Sequence, residues 1–171
     1  MSKNELEKLW QNDVVLSYRD KMDHIRDFLL KNADGENVIG TGTEVEYAPG
    51  LWEYKHSFAE DMYVREMRMK KGQICMSVIH KRSYPLFLLT GKLAITTETG
   101  IEEFIAPVYF VSPEGGTQRI AYAIEDCIIV TVHQNPMNTE DLKKLEKHLY
   151  AFTWEEYDEF VNKTKKDEKN K

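Results

Sequence analysis

The chain is predicted to be mainly β, a barrel or sandwich of short strands with a helical segment ahead of it and helices behind it. Three observations predict this. Residues 51–133 are short runs rich in Val, Ile, Phe, Tyr and Thr, broken by turn residues such as Lys71-Gly72, Thr90-Gly91 and Thr99-Gly100. A helical period of apolar residues appears before and after that region and not within it. With 171 residues, 42% of them hydrophobic, the chain has material for one good core.

Taken in order, residues 2–31 contain no Pro or Gly and are expected to be helical. Ser2 and Glu5 fit a capping box, and Tyr18, Met22, Ile25 and Leu29 form one apolar stripe. Asn32-Ala33-Asp34-Gly35 ends the pattern, and residues 33–50, with Gly35, Gly40, Gly42, Pro49 and Gly50, read as a loop or arm. The first unit is therefore a helix and Gly-rich arm over 1–50, and the barrel occupies 51–135. Strands are expected near 51–57, 62–70, 74–80, 85–90, 92–98, 101–105, 108–112, 117–123 and 126–133. Leu142, Leu145 and Leu149 then lie on one face of a helix starting near Asn138-Thr139. Thr153-x-x-Glu156 opens a second helix with Trp154, Tyr157, Phe160 and Val161 as its docking side, so that 136–162 is a helical unit. Residues 163–171, KTKKDEKNK, read as a frayed polar tail.

Net charge is −6, with the two signs interspersed, which argues against a groove for nucleic acid. No stretch approaches the roughly 20 apolar residues that span a bilayer, and MSKNELEKLW has no apolar leader core, so no membrane partner and a cytoplasmic location are expected. Cys75 and Cys127 fall inside predicted strands without CxxC spacing and read as small buried hydrophobes.

The candidate site residues come from one spaced pattern. Gly72 is followed at fixed steps by Val78, His80, Tyr84 and Gly91; further on stand Pro107, Pro113, Gly115, Gln118 and Tyr122. Alternation along a strand places His80 with Val78 and Met76, and Gln118 with Ile120 and Tyr122, on the inner face, turning Arg119 outward. His133 ends the last strand on the face of Thr131, Ile129 and Cys127, while Lys81-Arg82 sit at the rim. His80, Tyr84, Gln118, Tyr122, His133 and Arg82 are thus the expected ligand contacts. A mononuclear metal site commonly takes three His or carboxylate ligands. His80 and His133 are two imidazoles without a carboxylate, so no metal and no cofactor is expected. His24 and His148 lie on predicted helices and read as surface residues, and Glu102-Glu103 as a solvated strand end.

The spacing of both halves of the pattern resembles the two motifs of the cupin superfamily over residues 62–133. The resemblance implies a jelly roll, or double-stranded β-helix, whose motif strands line a cavity. Where cupins bind metal, the ligand positions correspond here to Val78, His80, Tyr84 and Gln118. The strings YAPGLWEY and FIAPVYFVSPEGGTQRIAYAIEDCIIVTVHQNPMNTEDLKKLEKHL are similar to phage-encoded cupin-like proteins, which implies a viral origin. FLLTGKLAI, AIEDCIIVTV and Arg119-Ile120-Ala121 are more distantly similar to cyclic-nucleotide-binding domains, also jelly rolls.

Three functions are compatible with these features. The first is a non-catalytic phage protein binding a small anionic or nucleotide-like ligand in its barrel. The second is a virion structural or assembly accessory with virion protein partners. The third is a metal enzyme using His80 and His133. A homodimer is expected, with Trp52, Tyr54 and Phe58 as candidate contacts.

Overall fold

The structure, a computed structural model, describes residues 2–11, 17–31, 38–39, 53–97, 99–112 and 115–169. Within 33–50, where a loop or arm was expected, Val38–Ile39 form a short strand, and the rest of that segment, Trp52 and Pro113 lie outside the described residues. In chain order the elements are α1 (Lys3–Trp10), α2 (Tyr18–Lys31), β1 (Val38–Ile39), β2 (Glu53–Ala59), β3 (Met62–Met69) and β4 (Ile74–Met76). They continue with β5 (Ile79–His80), β6 (Pro85–Thr90), β7 (Lys92–Thr97), β8 (Gly100–Ile105), β9 (Val108–Val111), β10 (Ile120–Ala123) and β11 (Cys127–Gln134). Helix α3 (Leu142–Leu149), β12 (Tyr150–Ala151) and α4 (Trp154–Lys169) complete the described chain.

Two sheets carry the architecture, in the orders β2-β3-β11-β6-β9 and β1-β4-β10-β7-β8. Apart from the short parallel pair β1 and β4, neighbouring strands are antiparallel. Setting aside β1 and β2 at the edges, four strands in each sheet follow the interleaved order of a jelly roll, with β3, β6, β9 and β11 facing β4, β7, β8 and β10. The expected mainly β jelly roll with helices at both ends is therefore the observed fold.

The core between the sheets is built by alternation. Met69, Leu88 and Ile129 from one sheet meet Leu93, Ile95, Cys75 and Ala123 from the other. Cys127 also packs here as a free thiol, donating to the carbonyls of Lys92 (3.3 Å) and Glu125 (3.1 Å), and burial pushes its pKa up to about 11. Alkylation by iodoacetamide at pH 8 is thus expected to leave Cys127 unmodified in folded protein and to reach it in urea, which peptide mass spectrometry reads directly.

The N-terminal segment is two helices rather than one. Ser2 caps α1 with a reciprocal Glu5 box as expected, but α1 ends on Gln11 and Ser17 starts α2 through a second reciprocal pair with Asp20. Two capped helices can each turn a face to the same sheet: Leu6, Trp10, Met22, Ile25 and Leu29 cover Ile74, Met76 and Ile120 on its outer side. An ionic cluster adds to the docking, because Glu103 on β8 accepts from Lys3 and pairs with Lys92 at 2.5 Å, which holds its carboxyl down at about 2. Met22 is fully buried in this layer, so Met22→Ala is expected to cost about 2–5 kcal/mol in a urea melt.

At the other end, α3 starts at Asp141, whose side chain accepts from the N–H groups of Lys143 and Lys144, rather than near Asn138-Thr139. Asn135 and Thr139 bond each other in a closed turn instead, which postpones the helix. Thr153 and Glu156 do cap α4, with Glu156 reaching the N–H of Phe152. That helix runs on through 163–169, where a frayed tail was expected, since Lys and Glu extend an already nucleated helix at little cost. Strand β12 pairs with β5, and Leu145, Leu149 and Tyr150 close that end of the roll against Tyr63 and Val78.

Candidate functional site

Between the sheets lies a cavity of about 90 Å³. A space of this size exceeds the roughly 10–15 Å³ that one water needs. Strand register places its walls. On β3, alternation turns Tyr63, Arg65, Met67 and Met69 to the inside, where Arg65 stands beside Thr131 and Thr131 beside Leu86. The facing wall brings Arg119, Ala121, Ser77, Val78 and His80. Leu86, Leu93, Ile95 and Ile129 make the remaining lining apolar.

This reverses the expected phase of β10. Arg119 and Ala121 face the cavity, whereas Ile120 and Tyr122 pack outward against α1 and α2. Gln118 does not line the cavity: its side-chain amide N–H donates to the carbonyl of Ser77 at 3.0 Å, and its backbone carbonyl accepts from the Tyr18 hydroxyl. The physical reason is that both faces of β10 are covered, one by the core and one by helices, so polarity does not mark which is inner. A second phase change sits at Ser77, which bonds Arg119 through backbone and side chain and separates β4 from β5. Met76 consequently packs under the helices, while Val78 and His80 face in.

Of the six expected ligand contacts, His80 and Tyr84 line the cavity and Gln118, Tyr122, His133 and Arg82 do not. The guanidinium of Arg82 lies over the Phe160 ring at 5.2 Å, against α4. His133 stands behind the wall, its Nε2 within 3.0 Å of Thr131 Oγ1 and its ring nearly parallel to that of His80, with centroids 5.7 Å apart. His24 is exposed, and His148 is partly buried with its pKa lowered by burial. Two charged lining residues stand outside the expected set: Arg65, which the sequence reading did not single out, and Arg119, which was expected to point outward. For Arg65 the signal was present: in MYVREMRM one face reads Tyr63, Arg65, Met67, Met69, a lone cation on an otherwise apolar, core-type face.

The electrostatics follow from this set. Two guanidinium groups line the cavity and, among the described residues, no carboxylate does. Arg65 is held between the rings of Tyr54 and Tyr150, at 5.6 and 5.5 Å, and Arg119 lies over Phe110 at 5.4 Å. Burial, reinforced by Arg65, lowers the pKa of His80 to about 3, and burial likewise takes His133 well below its usual range. Burial also raises the Tyr84 phenol to about 12. Both imidazoles and the phenol are therefore neutral at pH 7. A histidine whose folded pKa is depressed binds fewer protons than in the unfolded chain, so stability is lost as pH falls below the unfolded value near 6.5. Unfolding free energy is expected to drop by up to about 1.4 kcal/mol per pH unit for each of His80 and His133 on acidification from pH 6 to 5. Urea melts at both pH values test this, and His133→Phe should remove its share of the slope.

The metal implied by the resemblance does not fit these residues. Val78 has no side-chain donor atom, Gln118 does not line the cavity, Tyr84 is a neutral phenol, and His80 alone remains. Among the described residues no group of three His, Cys, Asp or Glu side chains converges. Two fixed guanidinium charges beside His80 further disfavour a divalent cation.

The fold and site together define a jelly roll with a cavity between its sheets lined in part by Arg65 and Arg119. No family model matches the chain, and no curated protein matches it. Solved structures similar to about half of it include a cupin-2 domain protein from Shewanella frigidimarina, at 17% identity, 49% of this chain, 81% of that chain and a TM-score of 0.40. KdgF from a Halomonas species is similar at 16% identity, 51% of this chain and 82% of that one, with a TM-score of 0.43. An oxalate decarboxylase from Lactobacillus farciminis, in a formate complex, is similar at 18% identity and a TM-score of 0.43, over 50% of this chain and 28% of its own length. No helix among the described residues is long and apolar enough to cross a membrane.

Proposed function

We propose that this is a non-catalytic, cupin-like phage protein of the host cytoplasm whose barrel holds a small anion. The observation that carries the reading is that Arg65 and Arg119 both line one largely apolar cavity. Two guanidinium groups facing one small space can share a single carboxylate through charge-assisted hydrogen bonds. Ser77, Thr131 and Tyr84 add hydroxyl groups, and the apolar remainder suits a short carbon chain. At about 90 Å³ the cavity is well below the roughly 300 Å³ of pockets for drug-sized ligands, so a small acid fits where a nucleotide does not. Thermal shift with acetate, propionate, lactate, pyruvate and inorganic phosphate, joined to native mass spectrometry of untagged protein, tests the proposal. A rise in Tm with at least one of the acids supports it; an unmoved Tm with all five and a bare mass overturn it.

One observation favours a second reading as a subunit of an assembly, in a homodimer or a particle. Ile105, Tyr109 and Val111 on the edge strands β8 and β9 are 67%, 68% and 60% exposed. The expected dimer contacts Tyr54 and Phe58 are turned inward, onto Arg65 and Tyr63. Light scattering reads a dimer directly, and Tyr109→Lys should return it to monomer if this edge is the contact.

A further inference from the structure

The outer face of the sheet β2-β3-β11-β6-β9 is apolar over half its width. Alternation sends Leu86, Leu88, Cys127 and Ile129 into the core, with Val108 and Phe110 packed against it. It therefore turns Phe87, Leu89, Val130, Tyr109 and Val111 to the other side. Register sets these out as a line across the sheet: Tyr109 stands opposite Phe87, Phe87 opposite Val130, Val130 opposite Glu66 and Glu66 opposite Lys55. The line changes character halfway. Its half on β9, β6 and β11 is apolar, and the Phe87 and Tyr109 rings stack there with centroids 5.8 Å apart. Its half on β3 and β2 mixes charges, with Glu66 also paired to Arg68 at 2.9 Å. Among the described residues, the clusters in which the helices pack include no side chain of this line.

We infer that this face is the contact between two copies of the chain, packed sheet face to sheet face about a two-fold axis. The inference rests on the assembly reading above, and gives that reading its partner and its surface. Size and charge both select a second copy. Tyr109, Val111 and Leu89 are largely exposed, and with the half-buried Phe87, Val130 and Val132 they offer on the order of 500 Å² of apolar surface, at the upper end of what a monomer leaves contiguous. A rim of Lys55, Ser57, Glu66 and Thr90 extends this toward the roughly 800 Å² that each partner contributes to a stable dimer. The chain carries a net charge of −6, so two copies repel unless the surfaces that meet are uncharged or mixed in sign. Here the outward side chains of β9, β6 and β11 include no charge, and the rim sets Lys55 against Glu66. A two-fold contact lays apolar half on apolar half and leaves the mixed charges at its border, the apolar centre and polar rim of a protein interface.

Light scattering of the full chain over a concentration series tests this, on the wild type and on Leu89→Lys, Val130→Lys and Ile105→Lys. The wild type is expected to be a dimer that dissociates on dilution. Leu89→Lys and Val130→Lys should each weaken it by about tenfold or more, because both copies then bury an unpaired charge. Ile105→Lys, on the edge of the other sheet, should leave it unchanged. Leu89 is 49% exposed, so its replacement spares the fold. Isotope-filtered NMR of mixed carbon-13-labelled and unlabelled wild-type chains reads the contact without a substitution: methyl groups of Leu89, Val111 and Val130 should show contacts between chains. A dimer that Ile105→Lys dissociates and the other two variants do not, or one whose contacts between chains miss these methyl groups, would overturn the inference and leave the assembly reading standing. A monomer at every concentration would overturn the inference and the homodimer with it.

Discussion

Arg119→Gln is expected to weaken binding of a small carboxylate by about tenfold to a hundredfold, with little change in the unfolding midpoint. A hydrogen bond to a charged group is worth about 1.5–3 kcal/mol, and the loss here removes charge as well as donors. Arg119 is only half-buried, so its replacement leaves the sheet pairing of β10 with β4 and β7 intact. Arg65→Gln should act in the same direction. Its cost in stability is expected to be larger, because Arg65 also stacks on Tyr54 and Tyr150. Calorimetry separates the two effects, and a salt series should show affinity falling as ionic strength rises.

Gly91→Ala is expected to be among the most damaging single substitutions outside the cavity, at about 2 kcal/mol or more. Gly91 turns β6 into β7 at φ +82, and an added Cβ would stand 2.2 Å from the carbonyl oxygen of Asp126. The left-handed backbone alone disfavours any other residue by about 1–2 kcal/mol, and the contact with a backbone atom has no cheap relief. Gly115 sits in a similarly tight place, where a Cβ would meet the carbonyl oxygen of Lys81 at 2.0 Å. A urea melt of each variant reads the loss.

These two glycines explain why the fold was legible in the sequence and much of the site was not. Gly91 and Gly115 are frame positions of the spaced pattern, and both are demanded by close backbone approach. Their spacing survives because the jelly roll requires it, whatever the cavity holds. Strands β6 and β11 were also readable, since one face meets the core and burial alternates, as in the buried run Cys127, Ile129, Thr131, His133. Strand β10 was not, because α1 and α2 make Ile120 and Tyr122 as apolar in environment as Ala121 and Ala123. A period-two pattern without contrast carries no phase, and so Gln118 and Tyr122 were expected where Arg119 and Ala121 stand. The division of residues 2–31 was missed for a related reason: a helix with no Gly or Pro can still end where a second capping pair, Ser17 with Asp20, competes successfully. His80 and Tyr84 were found from spacing alone. Their meaning changed when the two guanidinium groups appeared beside them.

On the proposed reading, the barrel holds an anion between Arg65 and Arg119. Nitrogen-15 NMR of the arginine side chains tests it most directly, during titration with lactate and, separately, with propionate. The Nε–H resonances of Arg65 and Arg119 are expected to move together and saturably, while Arg82, stacked on Phe160 outside the cavity, does not respond. Shifts confined to Arg82 and the surface lysines, or no shift at either cavity arginine at saturating acid, would contradict it.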